Sequence, residues 1–137
     1  MTLQLAPALR DRIREHLTAA YPEEGCGFLL GTDGGAREVR QVVGARNTSA
    51  ERHSHHFTIA PEEFLAADRH ARQSGLDVLG FFHSHPDGVA RPSSTDVEDA
   101  WPWYSYVIVS VAREGAGEMT CWRKAGENGP FEQETLR

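Results

Sequence analysis

Apolar and polar positions along this chain alternate in two distinct periods. Leu9, Ile13 and Leu17 recur every four residues, with Arg10, Asp11, Arg14 and Glu15 between them. That is the spacing of a helix with one buried face, and it predicts a helix over residues 7–20. Pro7 suits its first turn, and Tyr21-Pro22 marks its exit. Gly25-Cys26-Gly27-Phe28-Leu29-Leu30-Gly31 is a short apolar run between glycines, the pattern of a buried strand. Asp33-Gly34-Gly35 is a turn signal, after which Glu38 to Val43 pairs back as the second arm of a hairpin. Residues 46–52 are polar and read as a loop, and His53 to Ile59 as a further strand. Pro61-Glu62-Glu63 opens a second helix, with acids where the helix dipole favours them and Gly75 as its stop.

Asp77 to His83 is a strand with an apolar body of Val78, Leu79, Phe81 and Phe82, and it delivers His83 and His85 at its end. Two prolines and Gly88 make Pro86 to Pro92 a loop. Ser94 or Thr95 is expected to cap a short helix from Asp96 to Trp101, ended by Pro102. Tyr104 to Val111 and Glu118 to Lys124 read as strands joined by a turn at Gly115–Gly117, and a last short strand includes Phe131. Helices interleaved with strands, some joined as hairpins, indicate an α/β fold: a mixed sheet flanked by helices. The 137 residues fit one domain, 1–137, able to bury its own core.

Composition changes this picture by exclusion. The formal net charge of −6 argues against non-specific binding to nucleic acid, which needs clustered Lys and Arg. No apolar run is long enough for a membrane span. Met1 to Leu5 lacks the basic and apolar regions of a signal peptide, so a cytoplasmic protein is expected. Cys26 and Cys121 are too few and too distant for a disulfide framework. Cys26, between glycines in an apolar run, reads as a small core residue.

His83-Ser84-His85-Pro86, followed by Ser93 and Asp96, is where chemistry is concentrated. On an extended segment His83 and His85 share one face, and Asp96, at the start of the short helix, adds an anionic oxygen. Two imidazoles and a carboxylate suit one zinc ion and leave a fourth tetrahedral position open for water. Iron or manganese would also accept this donor set. A hydrolytic centre of this kind still needs a proton acceptor for the water and a donor for the oxyanion. Spacing alone does not identify either.

Seven residues separate His85 from Ser93, and two separate Ser93 from Asp96. This arrangement resembles the signature of the JAMM metallopeptidases, or MPN-plus domains. Pro22 to Gly31 is similar to that family's first motif, with Glu24 three residues before Gly27 at the head of an apolar strand. Arg46-Asn47 and Phe57 to Pro61 are similar to the short bacterial branch. The resemblance implies a JAMM/MPN fold with cytidine-deaminase-like architecture. It implies that His83, His85 and Asp96 hold the zinc and that Glu24 is the general base acting on the bound water. It further implies that Ser93 donates to the oxyanion, and that the substrate is a ubiquitin-like sulfur-carrier protein cut after its C-terminal Gly-Gly. A narrow groove would suit such a tail.

Each assignment has a plainer competitor. Glu23 is next to Glu24, and one of the two is expected in solvent. Ser94 and Thr95 compete with Ser93 as donor but read better as helix caps. Ser84 points away from its neighbours and reads as a hydrogen-bonder behind the site. Glu98 and Asp99 read as the exposed helix face, and Asp87 as a loop acid. His53, His55 and His56 lack an acidic or thiol partner at matching spacing and read as a segment beside the substrate groove. Trp101, Trp103 and Trp122 read as core or groove wall. The rival from another class is a non-catalytic MPN scaffold that binds partners, although such scaffolds typically lack the ligands. A zinc deaminase would need a Pro-Cys-x-x-Cys segment, which this sequence does not have.

Overall fold

The computed structural model of the protein describes residues 1–48 and 58–137. Among these residues the element order is β1 (Thr2–Gln4), α1 (Pro7–Ala20), β2 (Cys26–Gly34), β3 (Ala36–Ala45), α2 (Pro61–Gln73), β4 (Asp77–Pro86), α3 (Ser94–Asp99), β5 (Ser105–Ala112), β6 (Gly115–Lys124) and β7 (Phe131–Leu136). The strands form one mixed sheet in the order β1-β3-β2-β4-β5-β6-β7, closed by parallel pairing of β1 with β7. The expected mixed sheet flanked by helices is present, and its ends meet.

Two apolar layers follow from strand alternation. On one face Leu29, Leu79, Phe82, Val107 and Val109 pack with Ile13 and Leu17, so the sheet curls around α1. On the other, Phe28, Leu30 and Val78 pack with Ala67 and Ala71 of α2, with Phe64, Phe81 and Tyr104 at the margin. β2 and β4 are buried on both faces, which explains their nearly continuous apolar runs. Gly80 has a steric reason to be glycine, since a Cβ there would lie 1.8 Å from the Ser105 carbonyl oxygen on the paired β5.

α1 and α2 have the expected limits, and Gly75 leaves α2 at φ 72°. Four features differ from expectation. The turn expected at Gly115–Gly117 falls at Arg113 and Glu114, and Gly115 already opens β6. β1 was not anticipated, because three residues are too few to show an alternation. The short helix begins at Ser94, capped by Ser93 rather than by Ser94 or Thr95. The Ser93 hydroxyl accepts the Asp96 N–H at 3.0 Å while the Asp96 carboxylate accepts the Ser93 N–H at 2.9 Å, a reciprocal capping box. That helix ends at Asp99 because Ala100 is already extended, one residue before Trp101-Pro102. Of the strand expected from His53 to Ile59, residues 53–57 lie outside the described residues, and Thr58 and Ile59 are not in a strand. Among the described residues no helix is long and apolar enough to cross a membrane.

Candidate metal and catalytic site

β4 places His83 and His85 on the same face as Phe81, the face that looks toward α2. The antiparallel register pairs Cys26 with His83, which brings Glu24, just before β2, level with the histidine pair. The capping box of α3 turns Asp96 back toward the end of β4. Side-chain atoms of Glu24, His83, His85 and Asp96 consequently lie within 4.8 Å of one another. His83 Nε2 is 3.2 Å from His85 Nε2 and 3.3 Å from Asp96 Oδ2, and His85 Nε2 is 3.0 Å from Asp96 Oδ2. Glu24 Oε1 stands further back, 3.9 Å from His83 Nε2.

These distances test whether a metal fits. Tetrahedral zinc with bonds of about 2.0–2.1 Å has ligand atoms about 3.3 Å apart. The two imidazoles and Asp96 Oδ2 match one face of such a tetrahedron, and Glu24 lies beyond it. His85 Nδ1 is 2.9 Å from the Val89 carbonyl oxygen, an N–H donation that leaves Nε2 free to face a cation. The donor set therefore fits a divalent ion with three protein ligands.

Electrostatics separate the four groups by role. Burial pushes Glu24 up to about 7, with the Asp96 charge adding to the rise and His85 opposing it. Burial also dominates at His83 and lowers its pKa, so its ring is neutral at physiological pH. Burial works against charge on His85 as well, but the Asp96 carboxylate and the Val89 carbonyl outweigh it and raise the pKa. Asp96 is held below the usual carboxylate range: burial opposes this, but hydrogen bonding to His83 and His85 prevails.

The sequence-predicted residues divide clearly. Glu24 is buried and Glu23 exposed, so the fold puts the former at the cluster. The Ser93 hydroxyl accepts from Asp96 N–H and donates to no described group, so its proton is available beside the cluster. Ser84 faces away from the histidines, buried, with its hydroxyl accepting the Gly25 N–H at 2.9 Å. Asp87 is exposed and accepts from the Tyr21 hydroxyl at 3.0 Å. Glu98 and Asp99 are exposed on α3. Cys26 and Cys121 are free and buried, and burial pushes the Cys26 thiol up to about 12, which makes it inert. His53, His55 and His56 lie outside the described residues.

A cavity of about 670 Å³ opens onto Glu24, His83, Ser93 and Asp96. Phe64 and Leu65 of α2 form one wall, Phe81, Tyr104 and Tyr106 the floor, and Trp101 the rim opposite. Its lining is rich in aromatic side chains. Trp101 is 69% exposed and belongs to this groove; Trp103 is exposed and stacks on Arg37 at 4.1 Å, so neither is a core residue. Sequence reasoning missed the residues that hold the rim. The Tyr106 hydroxyl accepts the Trp101 N–H at 2.9 Å, and buried Lys124 donates to the Ala100 carbonyl at 3.3 Å. No spacing pattern ties Lys124 to Ala100 in sequence.

Comparison with known proteins agrees with this geometry. Residues 6–125 match the prokaryotic homologs of the JAB domain. The chain is 39% identical over 130 residues to a desampylase of Haloferax volcanii, covering 91% of this chain and 89% of that one. It is 32% identical over 108 residues to a probable TtuB-protein conjugate cleaving protease of Thermus thermophilus, covering 79% and 70%. Among solved structures, a protein from Desulfitobacterium hafniense superposes with a TM-score of 0.84 at 30% identity, covering 100% of this chain and 92% of that one. A JAB1/MPN domain protein from Archaeoglobus fulgidus does so at 0.57 with 18% identity, covering 100% and 97%, a likeness of fold alone.

Proposed function

Because the chain belongs to the family of prokaryotic homologs of the JAB domain, we propose that it is a zinc-dependent peptidase. Its substrate would be a small ubiquitin-like sulfur-carrier protein, cut at the amide bond after the C-terminal Gly-Gly. The observation that supports this most is the convergence of His83, His85 and Asp96 at 3.0–3.3 Å with Glu24 poised behind them. The conjugate-cleaving activity named for the Thermus relative supports the substrate class.

His83, His85 and Asp96 would hold the ion. Zinc bound there would supply Lewis-acid activation of water and of the scissile carbonyl at neutral pH. Glu24 takes the proton from the attacking water as oxygen adds to the carbonyl carbon. Ser93 donates its hydroxyl proton in a hydrogen bond to the oxyanion, lowering the barrier where charge develops. As the carbon–nitrogen bond breaks, Glu24 returns its proton to the leaving amine, so the base is regenerated without a covalent acyl-enzyme. A group held near neutrality by burial is suited to both halves of that exchange. Asp96 does not compete for the proton, since it is held ionised.

The test is incubation with a ubiquitin-like protein extended beyond its Gly-Gly by a short peptide, with the scission point read by mass spectrometry. Glu24→Gln should retain metal and lose about 10²- to 10⁴-fold in turnover. Full activity in that variant would reject Glu24 as the base, and metal-free protein purified without chelator would reject the ligand set.

A further inference from the structure

The peptide unit that joins Glu24 to Gly25 is gripped at both of its polar atoms by side chains from two different strand ends. Asn47, just beyond β3, donates its Nδ2–H to the Glu24 carbonyl oxygen at 3.0 Å. Ser84, between the two histidines on β4, accepts the Gly25 N–H on its hydroxyl at 2.9 Å, while its own N–H donates to the Gly25 carbonyl at 3.0 Å. Carbonyl and amide point in opposite directions across a trans peptide, so these two bonds fix the orientation of that plane. With the plane fixed, the Glu24 Cα is held in place, and the side chain it carries starts from a set position. The Asn47 amide is directed at the Glu24 carbonyl and at Thr58, and the Ser84 hydroxyl at Gly25.

Glu24 needs such a support. It lies in the irregular segment between α1 and β2, where no ladder bond sets its backbone. The sheet begins only at Cys26, and Gly25 supplies no side chain to pack. Placement of a general base within a few tenths of an ångström therefore depends on groups outside the strand pairing. Asn47 is itself anchored: its Oδ1 accepts the Thr58 N–H at 3.0 Å, and the neighbouring Thr48 N–H donates to the Thr58 carbonyl at 2.7 Å. Thr58 lines the groove, so one side-chain amide ties the base to the groove wall.

We infer that Asn47 and Ser84 are a pair of positioning residues that set the geometry of Glu24 by pinning the peptide after it from both sides. This rests on the reading of Glu24 as general base. Both residues bond the backbone beside Glu24, and each acts through the carboxylate it orients. A displaced reacting group costs rate rather than affinity, so the effect falls on kcat.

The experiment is a double-mutant cycle read by kcat, KM and zinc content. Asn47→Asp keeps the acceptor for Thr58 N–H and replaces the donor to Glu24 with an acceptor oxygen that the Glu24 carbonyl repels. It should lower kcat about 10- to 100-fold with KM and zinc stoichiometry unchanged. Combined with Glu24→Gln, it should add no further loss, because the carboxylate it positions is gone. Ser84→Ala should lower kcat in the same way, and Ser84→Thr, which restores the hydroxyl, should recover most of the loss. Asn47→Asp with wild-type kcat beside an inactive Glu24→Gln would overturn the positioning role alone. A loss that persists undiminished in the Glu24→Gln background, or that comes with lost zinc, would also overturn it, as a structural effect. A fully active Glu24→Gln would instead overturn the base assignment on which the inference rests.

Discussion

Glu24 should destabilise the metal-free protein at neutral and alkaline pH, and its removal should make the fold stronger. The side chain is 5% exposed, and burial lifts its pKa from 4.5 to about 7. Between those two values the folded chain keeps a proton that the unfolded chain releases. Stability therefore falls as pH rises through this window, by about 1.4 kcal/mol per unit, and the full penalty is about 3 kcal/mol above pH 7. Below pH 4.5 both states are protonated and the penalty vanishes. Glu24→Gln is isosteric and cannot ionise, so after chelation it should match wild type near pH 4.5 and exceed it by 2–3 kcal/mol, roughly, at pH 8. Urea melts of both proteins in chelator across pH 4.5–8 measure the difference directly. A bound cation favours the carboxylate, so zinc at pH 8 should stabilise wild type more than the variant and close the gap. A difference independent of pH, or a variant weaker than wild type at pH 8, would refute the claim that Glu24 sits in a desolvating pocket.

Other consequences are simpler. His85 must lose its proton to bind a cation, and its pKa is raised; zinc affinity should therefore fall about tenfold per pH unit below that pKa and level off above it, as read by competition with a chromophoric chelator. His83→Ala should abolish stoichiometric zinc in metal analysis, because it removes one corner of a three-ligand face whose other two members are 3.0 Å apart. Gly80→Ala places a methyl 1.8 Å from a backbone carbonyl in the centre of the sheet and should cost about 3 kcal/mol or more by denaturant melt. Trp101→Ala removes an exposed groove wall; stability should stay within about 0.5 kcal/mol while KM for the protein substrate rises about 5- to 30-fold.

Legibility in the sequence tracked how local the determining physics is. Helix α1 was readable because Leu9, Ile13 and Leu17 repeat at the helical period within one element, and α2 because proline, paired acids and Gly75 mark its ends. The clustering of His83, His85 and Asp96 was readable because the two histidines share a strand face and Asp96 follows at a helix start, so these three groups are nearly contiguous in the chain. Glu24 was not readable from spacing. It reaches the cluster only through the register of β2 on β4, and family resemblance had to supply it. Closure of the sheet was invisible, since it depends on three residues of β1 pairing in parallel with the far end of the chain. The buried set of Arg37, Ser105 and Glu134 was equally hidden. Arg37 donates to Ser105 at 2.9 Å and Ser105 to Glu134 at 2.8 Å, across 68 and 29 residues of sequence.

The aromatic lining of the groove bears on what part of the proposed substrate it would hold. The Gly-Gly tail of the proposed substrate has no side chains, so an aromatic cavity of about 670 Å³ beside His83 and Asp96 would gain nothing from the two glycines themselves. Its value must come from residues that flank them. Phe81 lies 5.3–6.0 Å from the rings of Phe64, Tyr104 and Tyr106, a set of rigid side chains that lose little entropy on contact. On that proposal the glycines would serve the cluster, where close approach to His85, Asp96 and Ser93 matters, and the flanking residues would serve the groove, where apolar burial adds affinity. Specificity and catalysis would thereby fall to different parts of one tail. Peptides that vary the residue upstream of an unchanged Gly-Gly should differ chiefly in KM, whereas replacing either glycine by alanine should lower kcat/KM through the approach to Glu24. If upstream substitutions from leucine to aspartate left KM unchanged, the aromatic floor would not be a substrate surface.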